Sequence, residues 1–276
     1  MAISINSPAS SYLFVPCDRL DRLAKALATA ADVVVIDLED AVAPEAKFRA
    51  RQALMTAQFP PDRIMVRING FNTEWHAHDI DVVCSIGVRA VMLPKAEDAN
   101  EIESIASRLG AGVSITALVE SAKGIWQALE VARAPGVARL AFGSLDFAQD
   151  TGTSLDSQAL LYARSRLVLA SRVANLPPPI DGVTTTINEA ATLERDVQQA
   201  KMIGFGAKLC IHPNQIDTVN RGFVPLPEEL SWARAVLAAA EDSGGAAVML
   251  EGRMIDIPVV KHAKRIVERA ERQARQ

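Results

Sequence analysis

Eight short runs of β-branched and other apolar residues punctuate the chain: Tyr12–Val15, Val33–Leu38, Ile64–Ile68, Ala90–Leu93, Ile115–Val119, Arg139–Phe142, Ile180–Val183 and Lys208–Ile211. Most are separated by longer stretches with helical spacing, such as Leu20, Leu23, Ala24, Leu27 and, later, Leu160, Leu161, Leu167, Val168. Alternation of strand and helix implies parallel pairing through helical crossovers. Several runs are nearly all apolar, as a sheet covered on both faces requires. An open doubly wound sheet would share these features. The count of eight favours an α/β fold closed as a TIM (β/α)8 barrel, and 276 residues is a usual length for one.

The barrel is expected over residues 1–225, leaving 226–276 as a C-terminal helical and hairpin extension. In it, Pro227–Glu241 reads as a helix broken at Ser243-Gly-Gly245. Ala247–Leu250 then turns at Glu251-Gly252 into Arg253–Ile255, ahead of a basic helix from Pro258. Barrel closure does not need this tail, so a lid or a subunit contact is expected of it.

Composition excludes several classes of function. A net charge of −4, from 29 basic and 33 acidic residues without a basic block, leaves no footprint for nucleic acid or an anionic membrane. Cys17, Cys84 and Cys210 lack the spacing of zinc or redox motifs, so a reducing cytoplasm is the expected location. The first ten residues lack the basic flank and apolar core of a secretory signal, and no run reaches the roughly 18 apolar residues of a spanning helix.

Catalytic groups of a parallel barrel stand where its strands exit. There the chain places Pro16-Cys-Asp-Arg19, Glu39-Asp40, Asn69, Pro94-Lys95, Glu120, Asp146, Thr184 and His212-Pro213. Some are helix caps. Arg67, just inside the third strand, calls for an anion, either a carboxylate partner or a substrate. Glu120 and Asp146 each close an apolar run and are expected at successive strand ends, placed to share one hard metal ion. The competing readings are an ion pair of Glu120 with Lys95 and an N-cap role for Asp146. Asp37, Glu39 and Asp40 form an acidic cluster for which Arg19, Lys95 or a water-bridged ion would be partners, so Asp37, Glu39 and Lys95 are assigned supporting roles around the site. His76 and His78 read as surface or packing residues and His212 as a structural hydrogen-bonding group. Arg19 and Lys25 lie either against a phosphate-bearing cofactor or on a solvated helix face.

Together these residues resemble the citrate lyase β-subunit-like family of HpcH/HpaI aldolases, which also holds malyl-CoA and citramalyl-CoA lyases. The resemblance runs through Leu13-Phe-Val-Pro-Cys-Asp-Arg19, Val35-Ile-Asp-Leu-Glu-Asp-Ala-Val42, Val66-Arg-Ile-Asn69, Leu93-Pro-Lys95, Val119-Glu-Ser121, Phe142-Gly-Ser-Leu-Asp-Phe147, Lys208-Leu-Cys-Ile-His-Pro213 and Met254-Ile-Asp-Ile-Pro258. It implies Mg²⁺ held by Glu120 and Asp146, a substrate oxygen on Arg67 and another on backbone N–H groups at Gly143 and Ser144. It also implies that Asp256 is the acid/base, delivered by the C-terminal segment of a neighbouring subunit in a homo-oligomer, a trimer or hexamer. Two carboxylates suit Mg²⁺, whereas zinc would require His or Cys.

The implied reaction is cleavage or condensation of a short β-hydroxyacyl-CoA, such as citryl-, malyl- or citramalyl-CoA, into acetyl-CoA and a 2-oxo acid. Arg67 would stabilise the enolate and Asp256 protonate it. Cys17 stands where the family has glycine, and its Cβ would narrow a loop against cofactor or substrate. Ser121 replaces threonine, and Thr184-Thr-Thr186 replaces an aromatic or acidic stretch. Two other readings are carried. One is an aldolase on free hydroxy-oxo acids, which uses a histidine base near the second strand where this chain has Asp37-Leu-Glu39. The other is a barrel that binds a metabolite, or serves a larger citrate lyase complex, without turnover of its own.

Overall fold

The computed structural model describes residues 9–242, 247–250 and 252–273. Its strands are β1 (Ser11–Pro16), β2 (Val33–Asp37), β3 (Ile64–Arg67), β4 (Ala90–Leu93), β5 (Ser114–Val119), β6 (Val137–Phe142), β7 (Ile180–Asp181), β8 (Ala207–Cys210), β9 (Val248–Leu250) and β10 (Arg253–Ile255). The helices of the first part are α1 (Leu23–Leu27), α2 (Lys47–Thr56), α3 (His76–Ile86), α4 (Ala99–Leu109), α5 (Ala122–Trp126), α6 (Ala128–Arg133), α7 (Ser144–Thr151), α8 (Leu161–Val173) and α9 (Ala190–Ile203). They are followed by α10 (Ile216–Phe223), α11 (Pro227–Asp242) and α12 (Ile257–Gln273). No helix is long and apolar enough to cross a membrane among the described residues.

Strands β1 to β8 form a closed barrel in sequence order, each parallel to the next, and β1 pairs with β8 through Ser11↔Lys208 and Leu13↔Cys210. The expected TIM barrel is the observed one. Strand alternation sorts each strand into an inward and an outward set. The inward set packs Tyr12, Val33, Val35, Met65, Met92, Leu118, Ala141, Ile180 and Leu209 into one cluster drawn from all eight strands. Strand β2 is buried at every position, as a sheet under a helical shell demands. In the shell, α4 turns Ile102, Ile105 and Leu109 inward, and Asp98 caps it by accepting the N–H of Asn100 at 2.7 Å. Gly204 ends α9 at φ +112, a backbone that a side chain would strain.

The expected strand Ile180–Val183 stops at Asp181. Lys208 Nζ donates to the Gly182 carbonyl at 2.7 Å, taking the acceptor that a longer ladder would use. At the floor of the barrel, Arg139 points inward without a carboxylate partner among the described residues. It donates instead to the carbonyls of Pro178 and Ala9, each at 2.8 Å, and to the Tyr12 hydroxyl at 3.0 Å.

The chain divides into two compact units, residues 1–220 and 221–276. In the second, β9 and β10 pair antiparallel, Met249 opposite Met254, as the expected hairpin requires. Glu251 of its turn and the Ser243-Gly-Gly245 break lie outside the described residues. Ala233, Val236, Ile255 and Ala263 form this unit's own core.

Replacing Arg139 with methionine removes the donor from the buried Ala9 carbonyl, about 1–3 kcal/mol to orphan, and from the part-buried Pro178 carbonyl. The R139M protein is expected to unfold at a clearly lower urea concentration than the parent with an unchanged slope; an unmoved midpoint would show that the floor is held by other contacts.

Candidate active site

Asp37 and Arg67 are the last residues of neighbouring strands β2 and β3, in register with each other and on the inward face. Arg67 closes a fork on Asp37, Nε to Oδ1 at 2.7 Å and Nη2 to Oδ2 at 2.6 Å. Its Nη1 lies 2.9 Å from Glu39 Oε2, and its plane sits over the Phe14 ring, 4.8 Å from the centroid. Burial alone would lower the Arg67 pKa, but the bond to Asp37 and the charges of Asp37 and Glu39 reverse this and raise it. The partner of the Asp37–Glu39 cluster is therefore Arg67, and not Arg19 or Lys95 as expected. Arg19 instead forks onto its neighbour Asp21 at the surface. Asp40 is mostly exposed, 4.0 Å from Arg67.

Asp37 also shapes the loop that follows, accepting the N–H of Glu39 at 2.9 Å and of Ala41 at 3.2 Å. From behind, Lys47 Nζ donates to the carbonyls of Leu38 at 2.8 Å and Glu39 at 2.9 Å, and Asn69 Nδ2 donates to Leu38 at 2.9 Å. Sequence reasoning missed Lys47, because a lone lysine at the start of a helix carries no signal of its own.

Glu120 follows β5 and is 3% exposed. Its Oε1 accepts the backbone N–H of Lys95 at 2.8 Å, and Lys95 holds a left-handed turn, φ 49, to present that group. Lys95 acts here through its main chain, since its side chain is exposed. The expected alternative of a side-chain ion pair is not what forms. Gly143 lies against Glu120: a Cβ added there would collide with the Glu120 carboxylate and Cβ.

Two expectations about the next loop need correction. Asp146 is neither at a strand end nor a cap: β6 ends at Phe142, Gly143 occupies the N-cap position of α7, and Asp146 sits half-buried in its first turn. The Gly143 N–H is engaged by the Val119 carbonyl at 3.0 Å, so it does not serve as a donor to a ligand. The first helical bond of α7 is from Phe147 to Gly143, which leaves the N–H groups of Ser144, Leu145 and Asp146 without partners among the described residues. The Ser144 N–H, one of the expected donors, is thus free to donate, as is that of Leu145.

The rim is short of positive charge. Burial, then the charges of Glu39 and Asp146, push Glu120 up to about 8. Burial outweighs the attraction of Arg67 and pushes Glu39 up to about 7, and Glu39 Oε2 makes no well-aligned hydrogen bond despite its closeness to Arg67. No group of three or more His, Cys, Asp or Glu residues that could hold a metal occurs among the described residues. Two carboxylates with unmet charge fit a hard divalent cation that completes its shell with water and substrate, and do not fit zinc.

Asp256 belongs to the second unit. It caps α12, its Oδ1 accepting the Val259 N–H at 3.2 Å, and borders a cavity of about 600 Å³ with Leu237, Val260, Lys261 and Lys264. Cys17 is fully buried and its Sγ donates to the Ala50 carbonyl at 3.3 Å, so its side chain turns into the packing against α2 rather than across the loop surface. Lys25 is solvent-exposed. His76 is buried with Nδ1 2.9 Å from the Asn69 carbonyl, His78 is exposed, and His212 Nδ1 accepts the N–H of Asn214 at 3.2 Å.

The profile of HpcH/HpaI aldolase/citrate lyase matches residues 10–213, which carry this whole barrel rim, and that of C-C bond lyases of the TIM-barrel fold matches residues 156–273. The chain belongs to the HpcH/HpaI aldolase/citrate lyase family. It is 36% identical over 275 residues to a citrate lyase subunit beta-like protein of Mycobacterium tuberculosis, covering 97% of this chain and 98% of that protein. A (3S)-malyl-CoA thioesterase of Cereibacter sphaeroides is 30% identical, covering 96% and 95%. A crystal structure of M. tuberculosis CitE with magnesium, acetoacetate and coenzyme A superposes with a TM-score of 0.87 at 36% identity, over 97% of this chain and all of that one (100%). A second M. tuberculosis structure, with oxaloacetate and magnesium, gives 0.72 at 35% identity over 79% of this chain and 98% of that one.

An unfolded glutamate loses its proton near 4.5, whereas folded Glu39 and Glu120 keep theirs to about 7 and 8. Between these values the folded state binds more protons, so stability falls as pH rises. Metal-free protein is expected to melt several degrees lower at pH 8 than at pH 5.5, with a smaller drop in E120Q; equal drops in both would remove Glu120 as the source. The G143A protein is expected to lose divalent-cation affinity as the new Cβ displaces Glu120, read by calorimetry.

Proposed function

We propose that the chain is a Mg²⁺-dependent carbon–carbon lyase acting on a short β-hydroxyacyl-CoA of the malyl, citramalyl or citryl type, releasing acetyl-CoA and a 2-oxo acid. The observation that carries this reading is the buried Glu120 carboxylate, aimed by the Lys95 N–H and cleared by Gly143, at a rim short of positive charge. Support comes from relatives crystallised with magnesium together with oxaloacetate, or with acetoacetate and coenzyme A.

Glu120 and Asp146 would hold the Mg²⁺. When bound, it supplies Lewis acidity and a template for the adjacent oxygens of a 2-oxo acid. Arg67, fixed by its fork on Asp37, keeps N–H groups that the fork does not use, and these offer hydrogen bonds to the substrate oxygen on which enolate charge develops. The Ser144 and Leu145 N–H groups, at the positive end of α7, hold a carboxylate oxygen. Asp37, Glu39 and Lys95 act through these groups. Asp37 orients Arg67, Glu39 adds to its charge balance, and Lys95 aims Glu120.

Asp256 carries the proton to and from the thioester α-carbon, brought by residues 226–276 of a neighbouring copy in a trimer or hexamer. Those residues then serve as lid and subunit contact around the barrel of residues 1–225. The inward turn of Cys17 leaves its loop free for a CoA thioester. Three free cysteines suit a reducing cytoplasm. A second reading, hydrolysis of the thioester alone, is favoured by the malyl-CoA thioesterase among the relatives.

The test is to incubate purified protein and Mg²⁺ with malyl-, citramalyl- and citryl-CoA and to resolve the products. Acetyl-CoA with a 2-oxo acid is expected; free CoA with the intact hydroxy acid would replace the lyase with a thioesterase, and no product from any thioester would overturn both. In D256N, turnover is expected to fall about 100-fold or more while calorimetric Mg²⁺ binding persists. Unchanged turnover would reject Asp256 as the proton carrier.

A further inference from the structure

Helix α7 carries Asp146 and the free Ser144 and Leu145 N–H groups, yet Phe147 is its one buried residue. Phe147 packs on Phe142 of β6 with ring centroids 5.5 Å apart. An eight-residue helix with a single apolar anchor does not hold its own place, because most helical stability comes from packing of a broad apolar face. Contacts at its two ends supply what the packing leaves open.

On one face, Asp150 lies one turn beyond Asp146, so the two point the same way. Asp150 Oδ2 accepts the backbone N–H of Ala122 at 2.7 Å. Ala122 is the first residue of α5 and stands two residues past Glu120. The bond therefore fills a donor that α5 cannot satisfy within itself, and it ties the loop of Glu120 to the helix of Asp146. Asp146 stands within reach of that loop, since its charge, after burial and the charge of Glu39, raises the Glu120 pKa.

On the opposite face, two residues round the helix from Asp146, Ser144 meets Gly182 at the exit of β7. A Cβ added at Gly182 would lie 2.5 Å from Ser144 Oγ and 3.0 Å from its Cβ. Gly182 holds no left-handed backbone, so this glycine serves the close approach and not a turn. Its own place is fixed. Lys208 Nζ donates to its carbonyl at 2.7 Å, and Arg164 forks onto the preceding Asp181 through Nε at 3.1 Å and Nη2 at 2.9 Å. Lys208, Asp181 and Arg164 are all buried.

From the sparse packing of α7 and these two end contacts, we infer that Asp150 and Gly182 are positioning residues of the rim, which hold α7 from opposite faces and set Asp146 against Glu120. Both act through α7 rather than on a ligand. Asp150 fixes the side toward β5 and Gly182 the side toward β7, so a shift of α7 in either direction changes the spacing of the two acids. The consequence for metal binding rests on the reading of Glu120 and Asp146 as Mg²⁺ ligands; the placement of α7 does not.

Two variants test this, each paired with a second that undoes the change. D150A removes the acceptor, whereas D150N keeps an oxygen for the Ala122 N–H and loses only the charge. G182A drives a methyl into Ser144, and S144G added to it removes the side chain that the methyl meets while keeping the N–H. In metal-free protein, the amide NMR signals of Asp146 and Phe147 are expected to move in D150A and G182A, and to return toward the parent positions in D150N and G182A/S144G. Calorimetric Mg²⁺ affinity is expected to fall about threefold to tenfold in D150A, the scale of one hydrogen bond, and at least as far in G182A, and to recover in their paired variants. Unmoved signals in D150A or in G182A would overturn the inference, as would a lowered melting temperature with unchanged Mg²⁺ affinity, the mark of a contact that only stabilises. Equal losses in D150A and D150N would overturn it in favour of the Asp150 charge. Parent protein that takes up no Mg²⁺ would remove the metal reading, and the amide signals would still decide whether the two residues place α7.

Discussion

The fork between Arg67 and Asp37 joins two neighbouring strands at the rim, and most of the site takes its position from it. Asp37 is buried and the Arg67 side chain is only 11% exposed, so removing the arginine would leave a buried, unpaired carboxylate, a loss of about 3–5 kcal/mol. The same Asp37 carboxylate accepts two N–H groups of the following loop and so places Glu39, while Lys47 and Asn69 hold that loop's carbonyls from behind. One ion pair thus sets the guanidinium and the acidic residue beside it. It also makes Arg67 a preorganised donor, since a cation already fixed in its rotamer loses less entropy when a ligand arrives.

The fork leaves a second problem that gives the rim its chemistry. Burial, then the charges of Glu39 and Asp146, raise the Glu120 pKa, and Arg67 does not offset them. A folded protein tolerates this by keeping protons on the acids or by taking up a cation. Gly143 shows that the protein makes room for the Glu120 carboxylate, because any side chain there would fill the space. The unpaired N–H groups at the start of α7 stand in the same loop, so an arriving cation and an arriving oxyanion find adjoining positions.

Much of this was legible in the sequence for a physical reason. Strands buried on both faces are written as apolar runs, and acids at the rim stand out because they interrupt such runs at the ends, as Glu120 does after Val119. Arg67 stood out because an arginine inside an apolar run needs an anion, but the choice between substrate and protein carboxylate depended on register, and the pairing of Asp37 with Arg67 across β2 and β3 is not visible along one strand. Asp146 was misplaced because a strand end and the first turn of a helix read alike where only three residues separate them. The role of Lys95 was hidden because it works through its main chain, and that of Gly143 because a glycine kept for space looks like one kept for a turn. Asp256 reads as both a cap and a proton carrier; the cap is a local interaction, and it fixes the start of α12 whatever else the carboxylate does.

Strand parity accounts for how one barrel holds two polar systems without merging them. Asp37, Arg67 and Glu120 fall on inward positions at the rim, whereas Asp181 and Lys208 fall one residue out of phase, on outward positions of β7 and β8. A one-residue shift of β8 alone would exchange its faces and put Lys208 into the interior that already holds Arg139, which has no carboxylate partner among the described residues. The shortness of β7 belongs to the same arrangement. Lys208 takes the Gly182 carbonyl, the ladder ends at Asp181, and Gly182 then packs so closely on Ser144 that a Cβ would strike its hydroxyl. That contact ties the outward Asp181–Lys208 pair to the first residue of α7, the helix whose N–H groups at Ser144, Leu145 and Asp146 have no partners among the described residues.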